Sequence, residues 1–461
     1  MQLKYLINNC IQHYKDNNIK SGDRVVYCGN NSVEWVAWNL SCYMVGGIWV
    51  PMYKNQSANY YNHIIEDCDP KLLIRENETN LQLENTKLQQ ISNKVTEEIN
   101  YNYENFTICH DDIATLIYSS GTTGKPKGVK LSHHNILSNI NAIEHRFNNV
   151  KNVKSLNVLP WAHIYGLTCE LYYNLFNNNE TYICSDRLKF IDECKEVKPD
   201  TIYIVPKILE LIKSKTEKFD KPVIRFVLPY IIKHLFGNNL KLVFTGGSKL
   251  DDTVKDFYEK NGITICEGYG CSETSPIISL NHNVFPRVTK SVGRLLHNVD
   301  VEIINDEICV SGPSVMEGYW NNKDKTDEVL FTDKNNKKWY KTGDSGYIDS
   351  GYLYYKGRLS ENYKLSNGKF VNVGEVEAII KKYVNGNFVV FTKDGKDNSI
   401  ISDTQISDHI LTKINSDLDK YLKIKNIFLI NQEEMSNFMT PKMSIKRQKL
   451  INYIKNNLYI K

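Results

Sequence analysis

The chain has 461 residues, of which 41% are hydrophobic and 24% are charged, and its formal net charge at pH 7 is +4. This composition excludes a globally disordered protein, and the length exceeds what one hydrophobic core usually supports, so at least two domains are expected. A charge this small for the length gives no indication of nucleic-acid binding or of strong attraction to a membrane.

The first three hundred residues alternate short apolar runs with amphipathic segments. The apolar runs predict buried strands at residues 24–28, 47–51, 114–118, 156–159, 201–205, 242–245 and 263–266. The amphipathic segments predict helices at residues 32–45, 57–67, 132–146, 187–196, 206–217 and 251–260. Because buried strands that alternate with helices are typical of parallel sheets, a parallel α/β arrangement is predicted here.

From about Val299 the pattern changes to alternating residues and turns. Strands at 299–304 and 307–311, with a turn at 349–351, predict a small antiparallel sheet or barrel. The residues after Arg358 predict a helix at 373–383, a strand at 388–392, a helix at 405–420, a strand at 427–430 and a helix that begins near 444. The predicted fold is therefore α/β, with a large N-terminal domain at 1–357 and a small α+β domain at 358–461.

Eleven cysteines are scattered from Cys10 to Cys309 without a C-x-x-C pair. An odd number dispersed over a long chain is typical of reduced intracellular thiols, so a cytoplasmic location is predicted and structural zinc is not. The N-terminal residues lack the long apolar core of a signal peptide. The apolar segment 226–236 either covers a pocket or lies on a membrane surface, so peripheral membrane contact stays open.

Residues 118–128 read Tyr-Ser-Ser-Gly-Thr-Thr-Gly-Lys-Pro-Lys-Gly and join two predicted strands. The glycines let the backbone approach a ligand closely, and the hydroxyl and ammonium groups suit the oxygens of a polyphosphate. The run is not a Walker A loop, because Gly121 is followed five positions later by Pro126. A flexible linker has a similar composition, but the apolar flanks favour a phosphate-binding loop.

With this loop the chain resembles the adenylate-forming superfamily of acyl-CoA synthetases, luciferases and peptide-synthetase adenylation domains. The resemblance continues, in the family's order, at 159–163 (Leu-Pro-Trp-Ala-His), 269–274 (Tyr-Gly-Cys-Ser-Glu-Thr), 340–344 (Tyr-Lys-Thr-Gly-Asp), 357–358 (Gly-Arg) and 446–447 (Lys-Arg). It implies that a carboxylate attacks the α-phosphate of ATP, giving an acyl-adenylate and pyrophosphate, and that a thiol then displaces AMP. The implied partners are small molecules, namely a carboxylic acid, ATP with Mg²⁺, and coenzyme A.

The resemblance also implies a set of residues that bind ATP and AMP. They are Ser119, Ser120, Gly121, Thr122, Thr123, Gly124, Lys127, Gly247, Gly268, Tyr269, Gly270, Thr274, Asp344 and Arg358. Asp344, at a predicted turn, is expected to accept both ribose hydroxyls, and the fork of Arg358 is expected near the same nucleoside. Tyr269 and Thr274 are expected to face adenine and the α-phosphate. A turn-capping aspartate, a surface arginine and a core tyrosine are the structural alternatives.

Glu273 is the expected magnesium ligand, because a hard carboxylate oxygen in this loop can hold Mg²⁺ against the phosphates. The alternative is a solvated loop carboxylate. The implied acyl pocket contains Trp161, His163, Gly246 and Gly247. His163 is assigned a positioning role, because the substrate carboxylate is already a nucleophile and needs no general base; a structural histidine remains the alternative.

Lys446 is the strongest candidate for a catalytic residue, since a desolvated ammonium would stabilise the charge that builds on the α-phosphoryl oxygens. Lys442 and Lys449 are alternatives in the same lysine-rich segment. The remaining expected catalytic residues are His163, Glu273 and Thr274.

The resemblance further implies that the small domain is a mobile lid that rotates about a hinge at Ser360. Relatives usually carry Asp or Lys at this hinge position, and they commonly carry proline where this chain has Val373. These two differences make the hinge assignment less direct, but neither falls on a predicted phosphate ligand.

The segments 161–170 and 358–368 look most like the long-chain fatty acyl-CoA branch, so a medium- or long-chain fatty acid is the expected substrate. Three alternatives remain: a fatty acyl-AMP ligase that passes the acyl group to a carrier protein, an aryl-CoA ligase, and a non-catalytic relative that binds acyl groups or nucleotides. Against the last stands the complete set of Lys127, Glu273, Asp344, Arg358 and Lys446.

Overall fold

The computed structural model describes residues 3–76, the backbone of 90–92, and residues 108–119, 125–147, 150–216, 225–284, 288, 290–440 and 444–457. The chain divides into two compact units, of which unit 1 contains residues 1–301 and 310–340 and unit 2 contains residues 302–309 and 341–461. The predicted boundary at 357/358 falls inside unit 2. Its function as a domain boundary stays a prediction.

The strands are β1 (Arg24–Cys28), β2 (Ile48–Met52), β3 (Leu72–Arg75), β4 (Gln90–Ser92), β5 (Ile113–Ser119), β6 (Lys127–Ser132), β7 (Lys154–Asn157), β8 (Glu180–Ile183), β9 (Thr201–Ile204), β10 (Leu242–Thr245), β11 (Thr264–Gly270), β12 (Ile277–Leu280), β13 (Arg294–Leu295), β14 (Asp300–Ile304), β15 (Glu307–Ser311), β16 (Gly318–Tyr319), β17 (Leu330–Thr332), β18 (Lys338–Asp349), β19 (Tyr352–Arg358), β20 (Tyr363–Lys364), β21 (Phe370–Val371), β22 (Phe388–Thr392), β23 (Asn398–Ser402) and β24 (Ile424–Leu429). The α-helices are α1 (Leu3–Asp16), α2 (Val33–Met44), α3 (Ala58–Cys68), α4 (His133–Arg146), α5 (Tyr173–Phe176), α6 (Phe190–Val197), α7 (Pro206–Thr216), α8 (Leu228–Leu235), α9 (Asp252–Lys260), α10 (Lys323–Val329), α11 (Val373–Ile380), α12 (Asp408–Ser416), α13 (Gln432–Asn437) and α14 (Arg447–Asn457).

The first sheet of unit 1 has the strand order β16-β6-β5-β2-β1-β3-β4. β2 pairs in parallel with β1 and β5, and β1 pairs in parallel with β3, whereas β5 and β6 are antiparallel neighbours. Val26, Val50 and Leu73 from the central strands pack with Ile64 of α3 in one buried cluster. This arrangement confirms the parallel α/β prediction for the first part of the chain.

The second sheet places β13, β12, β11, β10, β9, β7 and β8 side by side in unit 1. The strands from β11 to β8 pair in parallel, whereas β12 is antiparallel to β11 and to β13. Phe190, Leu209 and Ile232 from three helices pack with Val243 of β10 in a buried core. The carboxyl ends of the parallel strands therefore lie along one edge of the sheet, where ligands usually bind.

Serine side chains cap the N-termini of α2, α3 and α4. Ser32, Ser57 and Ser132 each accept a hydrogen bond from the backbone N–H three residues later. In α4, Asn135 completes a capping box, because its side chain accepts from the backbone N–H of Ser132. These bonds pair donors that the first helical turn would otherwise leave unpaired, so the sequence itself fixes where these helices begin.

Unit 2 contains the antiparallel hairpin of β18 and β19. Its turn uses left-handed backbone at Ser350 (φ 52°) and Gly351 (φ 79°), and Tyr347 and Tyr354 stack across it with ring centroids 4.6 Å apart. The predicted turn at 349–351 is thereby confirmed. β22 and β23 are antiparallel, β23 and β24 are parallel, and α11 packs against them through the buried side chain of Val376.

Several elements of the structure, among them α1, β3, β8 and β12, had no prediction, and three further differences are local. The strand predicted at 263–266 extends to Gly270, because its last residues pair with β12. The strand β23 had no prediction, because its two central isoleucines are flanked by polar residues. The turn predicted at Asp344 is wrong, since this residue lies within β18 and faces Arg358 of β19.

Candidate active site

The predicted phosphate-binding loop connects β5 to β6 in unit 1. Ser119 and Lys127 are paired residues of these strands, so the two ends of the loop lie side by side. The middle of the loop lies outside the described residues and carries five of the predicted nucleotide ligands, Ser120, Gly121, Thr122, Thr123 and Gly124. The loop therefore starts from a well-defined hairpin, and the roles of these five residues stay predictions.

Lys127 and Glu273 meet at the same tyrosine. The ammonium of Lys127 lies 5.0 Å from the ring centroid of Tyr319, within the range of a cation–π contact. The Tyr319 hydroxyl donates a 2.9 Å hydrogen bond to Oε1 of Glu273. The predicted phosphate lysine and the predicted magnesium ligand are thus brought together, although more than a hundred residues separate them in sequence.

Strand pairing fixes the backbone of Tyr319, and burial keeps its phenol protonated. It lies in β16, where it pairs with Val129 of β6, and the backbone N–H of Met316 donates to the carbonyl oxygen of Glu273 at 2.9 Å. Burial, reinforced by the nearby Glu273 carboxylate, raises the pKa of the Tyr319 phenol well above its ordinary value. The phenol therefore keeps its proton at neutral pH and stays a hydrogen-bond donor to Glu273.

The segment from Gly268 to Thr274 begins at the end of β11 and turns into a short 3₁₀ helix. A side chain at Gly270 would overlap the carbonyl oxygen of Pro276, so this position needs glycine. Thr274 is fully buried, accepts from the backbone N–H of Cys271, and donates to the Pro276 carbonyl oxygen at 2.6 Å. Its hydroxyl stabilises the turn that presents Glu273, and its predicted contact with the α-phosphate stays a prediction.

A buried ion pair lies directly beside this segment. Nζ of Lys255 on α9 is 2.6 Å from Oε2 of Glu267 on β11, and both side chains are almost completely buried. The other oxygen of Glu267 accepts from the backbone N–H of Leu250 at 3.0 Å. Glu267 therefore links α9 to the segment after β10 that contains the predicted acyl-pocket glycines Gly246 and Gly247.

These two glycines differ in their surroundings. A Cβ at Gly246 would lie 3.0 Å from the carbonyl oxygen of Gly268 and 4.0 Å from Cζ of Tyr165, so a larger side chain would push against both. Gly247 has a φ of +83° and open space around it. Gly246 thus allows close packing next to the β11 segment, whereas Gly247 allows the chain to turn.

Trp161 and His163 are held by a buried polar network. The side chain of Asn31 accepts from the backbone N–H of Trp161 at 3.0 Å and donates to Asn157 at 2.7 Å. Trp161 is buried edge-on against Trp35, with 5.5 Å between the ring centroids. Nδ1 of His163 accepts from the backbone N–H of Tyr165 at 3.1 Å, which orients the imidazole; its positioning role stays a prediction.

Glu170 belongs to the same network and lies in a π-helix at Tyr165–Tyr172. Burial raises the pKa of its carboxyl well above the ordinary value, and Asn157 donates to Oε2 at 2.5 Å. A raised pKa favours the neutral acid, which is the form that a completely buried carboxyl tolerates. Glu170 therefore has a structural role behind the segment that carries Trp161 and His163.

A small cavity of about 20 Å³ lies at the carboxyl ends of β9, β10 and β11. Its lining residues are Ile143, Tyr165, Cys169, Tyr203, Phe244, Thr245, Cys266, Gly268, Ile277 and Leu280. Gly268 is the one predicted site residue among them. The four predicted acyl-pocket residues do not line the cavity, although Tyr165 and Thr245 are close neighbours of His163 and Gly246 in sequence.

In unit 2, Asp344 and Arg358 face each other across the β18–β19 hairpin. Nε of Arg358 is 3.0 Å from Oδ1 of Asp344, and its Nη1 donates to the carbonyl oxygen of Thr342 at 3.0 Å. Asp344 is 3% exposed, and its backbone N–H donates to the Thr342 hydroxyl. The two residues that were predicted for the nucleoside therefore form one fixed pair.

Backbone hydrogen bonds join the described residues on either side of 441–443, and Lys446 is one of these residues. The backbone N–H of Lys446 donates to the carbonyl oxygen of Phe438 at 2.6 Å, and the backbone N–H of Thr440 donates to the carbonyl oxygen of Ser444 at 2.8 Å. Burial, with a smaller contribution from Lys449, lowers the pKa of the Lys446 ammonium. The alternative Lys442 lies outside the described residues, and Lys449 is exposed on α14.

Arg447 has several partners within unit 2. Its guanidinium donates to Glu377 at 2.9 Å and to the carbonyl oxygen of Val390 at 3.1 Å, and its Nε lies 3.4 Å from Glu361. The 3₁₀ turn at Leu359–Glu361, α11 and β22 therefore all contact Arg447, the residue next to Lys446. Ser360, the predicted hinge, lies in a 3₁₀ turn at Leu359–Glu361 directly after β19, and its hinge role stays a prediction.

The sequence profile of the family described as AMP-binding enzyme matches residues 2–320 of this chain. The chain belongs to this family. This membership confirms the resemblance that the motifs indicated, and it covers the phosphate loop, the acyl segment and the Tyr269–Thr274 segment.

Curated relatives differ in the acids that their names give. The chain is 26% identical to a long-chain-fatty-acid–CoA ligase, FadD15 of Mycobacterium bovis, over 77% of this chain and 68% of that protein. It is 32% identical to a probable 4-coumarate–CoA ligase of Dictyostelium discoideum over 61% of this chain, and 30% identical to a long-chain-fatty-acid–CoA ligase of Bacillus subtilis over 59%. These matched stretches span about half the length of the last two relatives.

Solved structures confirm the adenylate-forming fold. The ATP-bound RpMatB-BxBclM chimera B3 has a TM-score of 0.82 at 20% identity, covering 98% of this chain and 93% of its own. The o-succinylbenzoate CoA synthetase of Bacillus subtilis in complex with its acyl-adenylate has a TM-score of 0.80 at 21% identity, covering 97% and 92%.

Sequence reasoning missed Tyr319, Lys255 and Glu267, three residues of this AMP-binding fold that shape the site. Tyr319 follows Gly318 in a short edge strand and has no motif of its own. Glu267 directly precedes the predicted Gly268-Tyr269-Gly270 segment, so its position next to a motif was an available signal. Lys255 lies in a helix with other charged residues, where nothing in the sequence separates a buried lysine from solvated ones.

Two further features concern the described residues as a whole. None of their helices has the length and apolar character needed to span a membrane. Within the same part of the chain, no group of three or more His, Cys, Asp or Glu side chains is arranged to hold a metal ion. A Mg²⁺ ion that travels with a nucleotide needs no such group, because one or two carboxylates and the phosphate oxygens suffice.

Proposed function

We propose that this protein is an ATP-dependent acid–thiol ligase. It activates a carboxylic acid as the acyl-adenylate, releases pyrophosphate, and transfers the acyl group to coenzyme A. The observation that carries the proposal is the meeting of Lys127 and Glu273 at Tyr319 in a chain of the AMP-binding family. Asp344 paired with Arg358, and Lys446, whose backbone N–H donates to Phe438, supply the nucleoside and transition-state groups.

In the first half-reaction a substrate carboxylate oxygen bonds to the α-phosphorus, and the bond from this phosphorus to the pyrophosphate oxygen breaks. Lys127 neutralises phosphate charge, and its place at the end of the β5–β6 hairpin suits a polyphosphate in the loop. Glu273 fits a magnesium ligand, because it is half-buried and its Oε1 is oriented by Tyr319. Bound there, Mg²⁺ would neutralise the charge of the polyphosphate.

Lys446 stabilises the negative charge on the α-phosphoryl oxygens. Partial burial strengthens the electrostatic effect of an ammonium on charge that develops in the transition state, and it also lowers the pKa of that ammonium. In the second half-reaction the thiol sulfur bonds to the acyl carbon, and AMP leaves with the electron pair of the carbon–oxygen bond. Movement of a lid about Ser360 between the two half-reactions remains part of the proposal.

The expected acid is a medium- or long-chain fatty acid, as the names of the Mycobacterium and Bacillus relatives support. An aryl acid is the second candidate, supported by the 32% identity to the Dictyostelium protein named as a 4-coumarate–CoA ligase. The two candidates differ in the shape and polarity of the space that receives the acyl group.

The test is pyrophosphate release from MgATP by the purified protein with acetate, octanoate, palmitate, oleate and coumarate, each with and without coenzyme A. Sustained release that requires both an acid and coenzyme A supports the proposal. A single-turnover burst that ignores coenzyme A indicates transfer to a carrier protein instead. No release with any acid, combined with nucleotide binding, would contradict the ligase and favour a non-catalytic binding protein.

A further inference from the structure

The strand β8 lies at the outer edge of the second sheet in unit 1. It pairs in parallel with β7, and no described strand pairs with its other side. The backbone N–H groups of Glu180 and Cys184 donate to carbonyl oxygens of the β7 segment at 2.9 and 3.0 Å. Because backbone groups alternate in direction along a strand, those of Thr181 and Ile183 point away from β7. Within the described part of the chain, these outward groups have no hydrogen-bond partner.

Exposed apolar side chains surround this open edge. Leu175 and Phe176 at the end of α5 are 44% and 54% exposed, and Tyr182 of β8 is 40% exposed. Leu188, in the 3₁₀ turn at Arg187–Lys189 that follows β8, is 93% exposed. Prolines and bulges often protect such edges, but β8 has no proline and its pairing with β7 shows no register shift. An unprotected edge beside exposed apolar groups indicates a surface that binds another chain.

One face of the sheet has free space beside β8. The side chain of Asn174 in α5 donates to Oγ1 of Thr181 at 3.1 Å, so α5 lies on the face to which Thr181 points. On the opposite face, a cavity of about 400 Å³ lies between β8 and α6, and Leu156, Tyr182 and Lys189 are among its lining residues. α6 therefore leaves part of β8 uncovered, and side chains of a partner can occupy this space.

The backbone groups of β8 are complementary to those of a second copy. In an antiparallel pair with its two-fold axis at Tyr182, Thr181 of each copy lies opposite Ile183 of the other. Each of these two pairs exchanges two hydrogen bonds, so four bonds use all the outward groups of both strands. Moving the axis by one residue in either direction places an outward group opposite Asn179 or Ser185, whose N–H groups already donate within the chain. One symmetric register is therefore favoured.

Charges at the two ends of β8 favour the same pairing. Side chains alternate along a strand, so Glu180 lies on the cavity face, opposite Cys184 of the second copy. Lys189 lines the cavity on this face, and neither Glu180 nor Lys189 has an ion pair among the described residues. Two neighbouring carboxylates already have partners, since Asp192 lies 3.2 Å from a lysine ammonium and Glu193 accepts a backbone hydrogen bond at 3.1 Å. The two-fold axis would thus create two Glu180–Lys189 pairs.

We propose that β8 binds a second copy of this chain, so that the second sheets of two copies join into one continuous sheet with Tyr182 at the two-fold axis. The inference goes beyond the proposed ligase function and does not depend on it. A second copy fits better than an unrelated strand, because one symmetric register satisfies the outward backbone groups and pairs Glu180 with Lys189. The dimer also buries apolar side chains that a single copy leaves exposed.

A disulfide at the axis tests the contact. Residues that face each other at a non-hydrogen-bonded position have Cα atoms about 4.5 Å apart, which is within the range of a disulfide. Tyr182→Cys, in a chain that also carries Cys109→Ser and Cys184→Ser, should therefore form a disulfide between two copies under mild oxidation. Val33→Cys, at an exposed position on α2, is the control and should stay uncrosslinked. Absence of the Tyr182→Cys disulfide would overturn the inference.

A second cysteine variant tests the register. In the proposed pairing, residue 180 of each copy faces Cys184 of the other, again at a non-hydrogen-bonded position. Glu180→Cys should therefore form a disulfide between copies when Cys184 is present, and should lose it when Cys184→Ser is added. A disulfide that forms equally well without Cys184 would show a different register and contradict the inference.

The mass of the native protein is measured by sedimentation equilibrium, with twice the chain mass expected. Ile183→Pro removes an outward N–H and keeps the bonds to β7, a place where an edge strand tolerates proline. It removes two hydrogen bonds from the dimer by symmetry, so the dimer Kd should rise by about tenfold or more, whereas Ile183→Val should stay close to the wild type. A dimer that is unchanged by Ile183→Pro would place the interface elsewhere.

A charge exchange tests the ends of the strand without altering its backbone. Lys189→Glu should raise the dimer Kd by about fivefold or more, and the double variant with Glu180→Lys should restore it. A protein that stays monomeric at every concentration overturns the inference, and hydrogen exchange then identifies the occupant of the edge. Slow exchange of the Thr181 and Ile183 amides would show that another segment of the same chain covers the edge, and fast exchange would show a bare edge.

Discussion

Units 1 and 2 hold their candidate site residues in different ways. In unit 1, Lys127 and Glu273 are joined through Tyr319, and these residues come from three distant parts of the chain. In unit 2, Asp344 and Arg358 face each other across one hairpin, and backbone hydrogen bonds near Lys446 join residues on either side of 441–443. An arrangement made by one hairpin can be inferred from local sequence, whereas one made by three distant segments depends on the whole fold.

The largest expected effect concerns the buried Lys255–Glu267 pair, which depends on the fold of unit 1. Lys255→Met leaves the carboxylate of Glu267 buried without its ammonium, so the free energy of unfolding should fall by about 3–5 kcal/mol. Urea denaturation measures the change. Lys260→Met, at the exposed end of the same helix, is the matched control and should stay close to the wild type. A cost below about 1 kcal/mol for Lys255→Met would show that the pair does not hold this part of unit 1 together.

The next effect concerns Lys446 of unit 2. Lys446→Ala should keep the fold but lower the rate of acyl-adenylate formation by about 100- to 1000-fold, because it removes a charge that stabilises the transition state. Acid-dependent exchange of labelled pyrophosphate into ATP measures this step alone. Lys449→Ala, which changes an exposed lysine of α14 three residues after Lys446, is the control and should retain exchange. Full exchange in the Lys446 variant, or loss in the Lys449 variant, would reassign the catalytic lysine.

A smaller effect is expected at Tyr319, where unit 1 joins its distant residues. Tyr319→Phe removes the donor to Glu273 and keeps the ring under Lys127, so the KM for MgATP should rise by about tenfold, as expected for one hydrogen bond to a carboxylate. Steady-state kinetics with varied MgATP provide the measurement, and Tyr182→Phe, at an exposed tyrosine, is the control. An unchanged KM would show that the contact between Tyr319 and Glu273 is structural and does not serve the nucleotide.

The two units also show which features the sequence predicts and which depend on the complete fold. The strands and helices that were predicted carry their own apolar periodicity, and the structure adds serine caps at the start of α2, α3 and α4. The pairing of Asp344 with Arg358 follows from one turn at 349–351, which the sequence also indicated. Tyr319 could not be predicted, because its role arises only when β16 pairs with β6.

The same reasoning applies to the cavity at the carboxyl ends of β9, β10 and β11. Gly246 was predicted from its small size, whereas the residues that define the cavity, such as Tyr203 and Phe244, read as ordinary core aromatics until β9 and β10 are placed side by side. The hydroxyls of Tyr165 and Thr245, which are unpaired among the described residues, are a property of packing and are invisible in the sequence. The lining of this cavity therefore depends on long-range packing, even in a chain whose family is evident from local motifs.

The smallest expected effect is a shift in pH dependence that isolates the charge of Lys446. Because burial lowers the pKa of this ammonium, it loses its proton at a lower pH than an ordinary lysine, and adenylation should decline as the pH rises through that lowered value. Lys446→Arg keeps a positive charge at any accessible pH, so its decline should move to higher pH even if its maximal rate is lower. Lys449→Ala removes the neighbouring positive charge that contributes to the lowered pKa, so it should move the decline slightly upward. The pH profile of pyrophosphate exchange measures all three proteins, and an identical alkaline limb in the wild type and in Lys446→Arg would show that another group controls it.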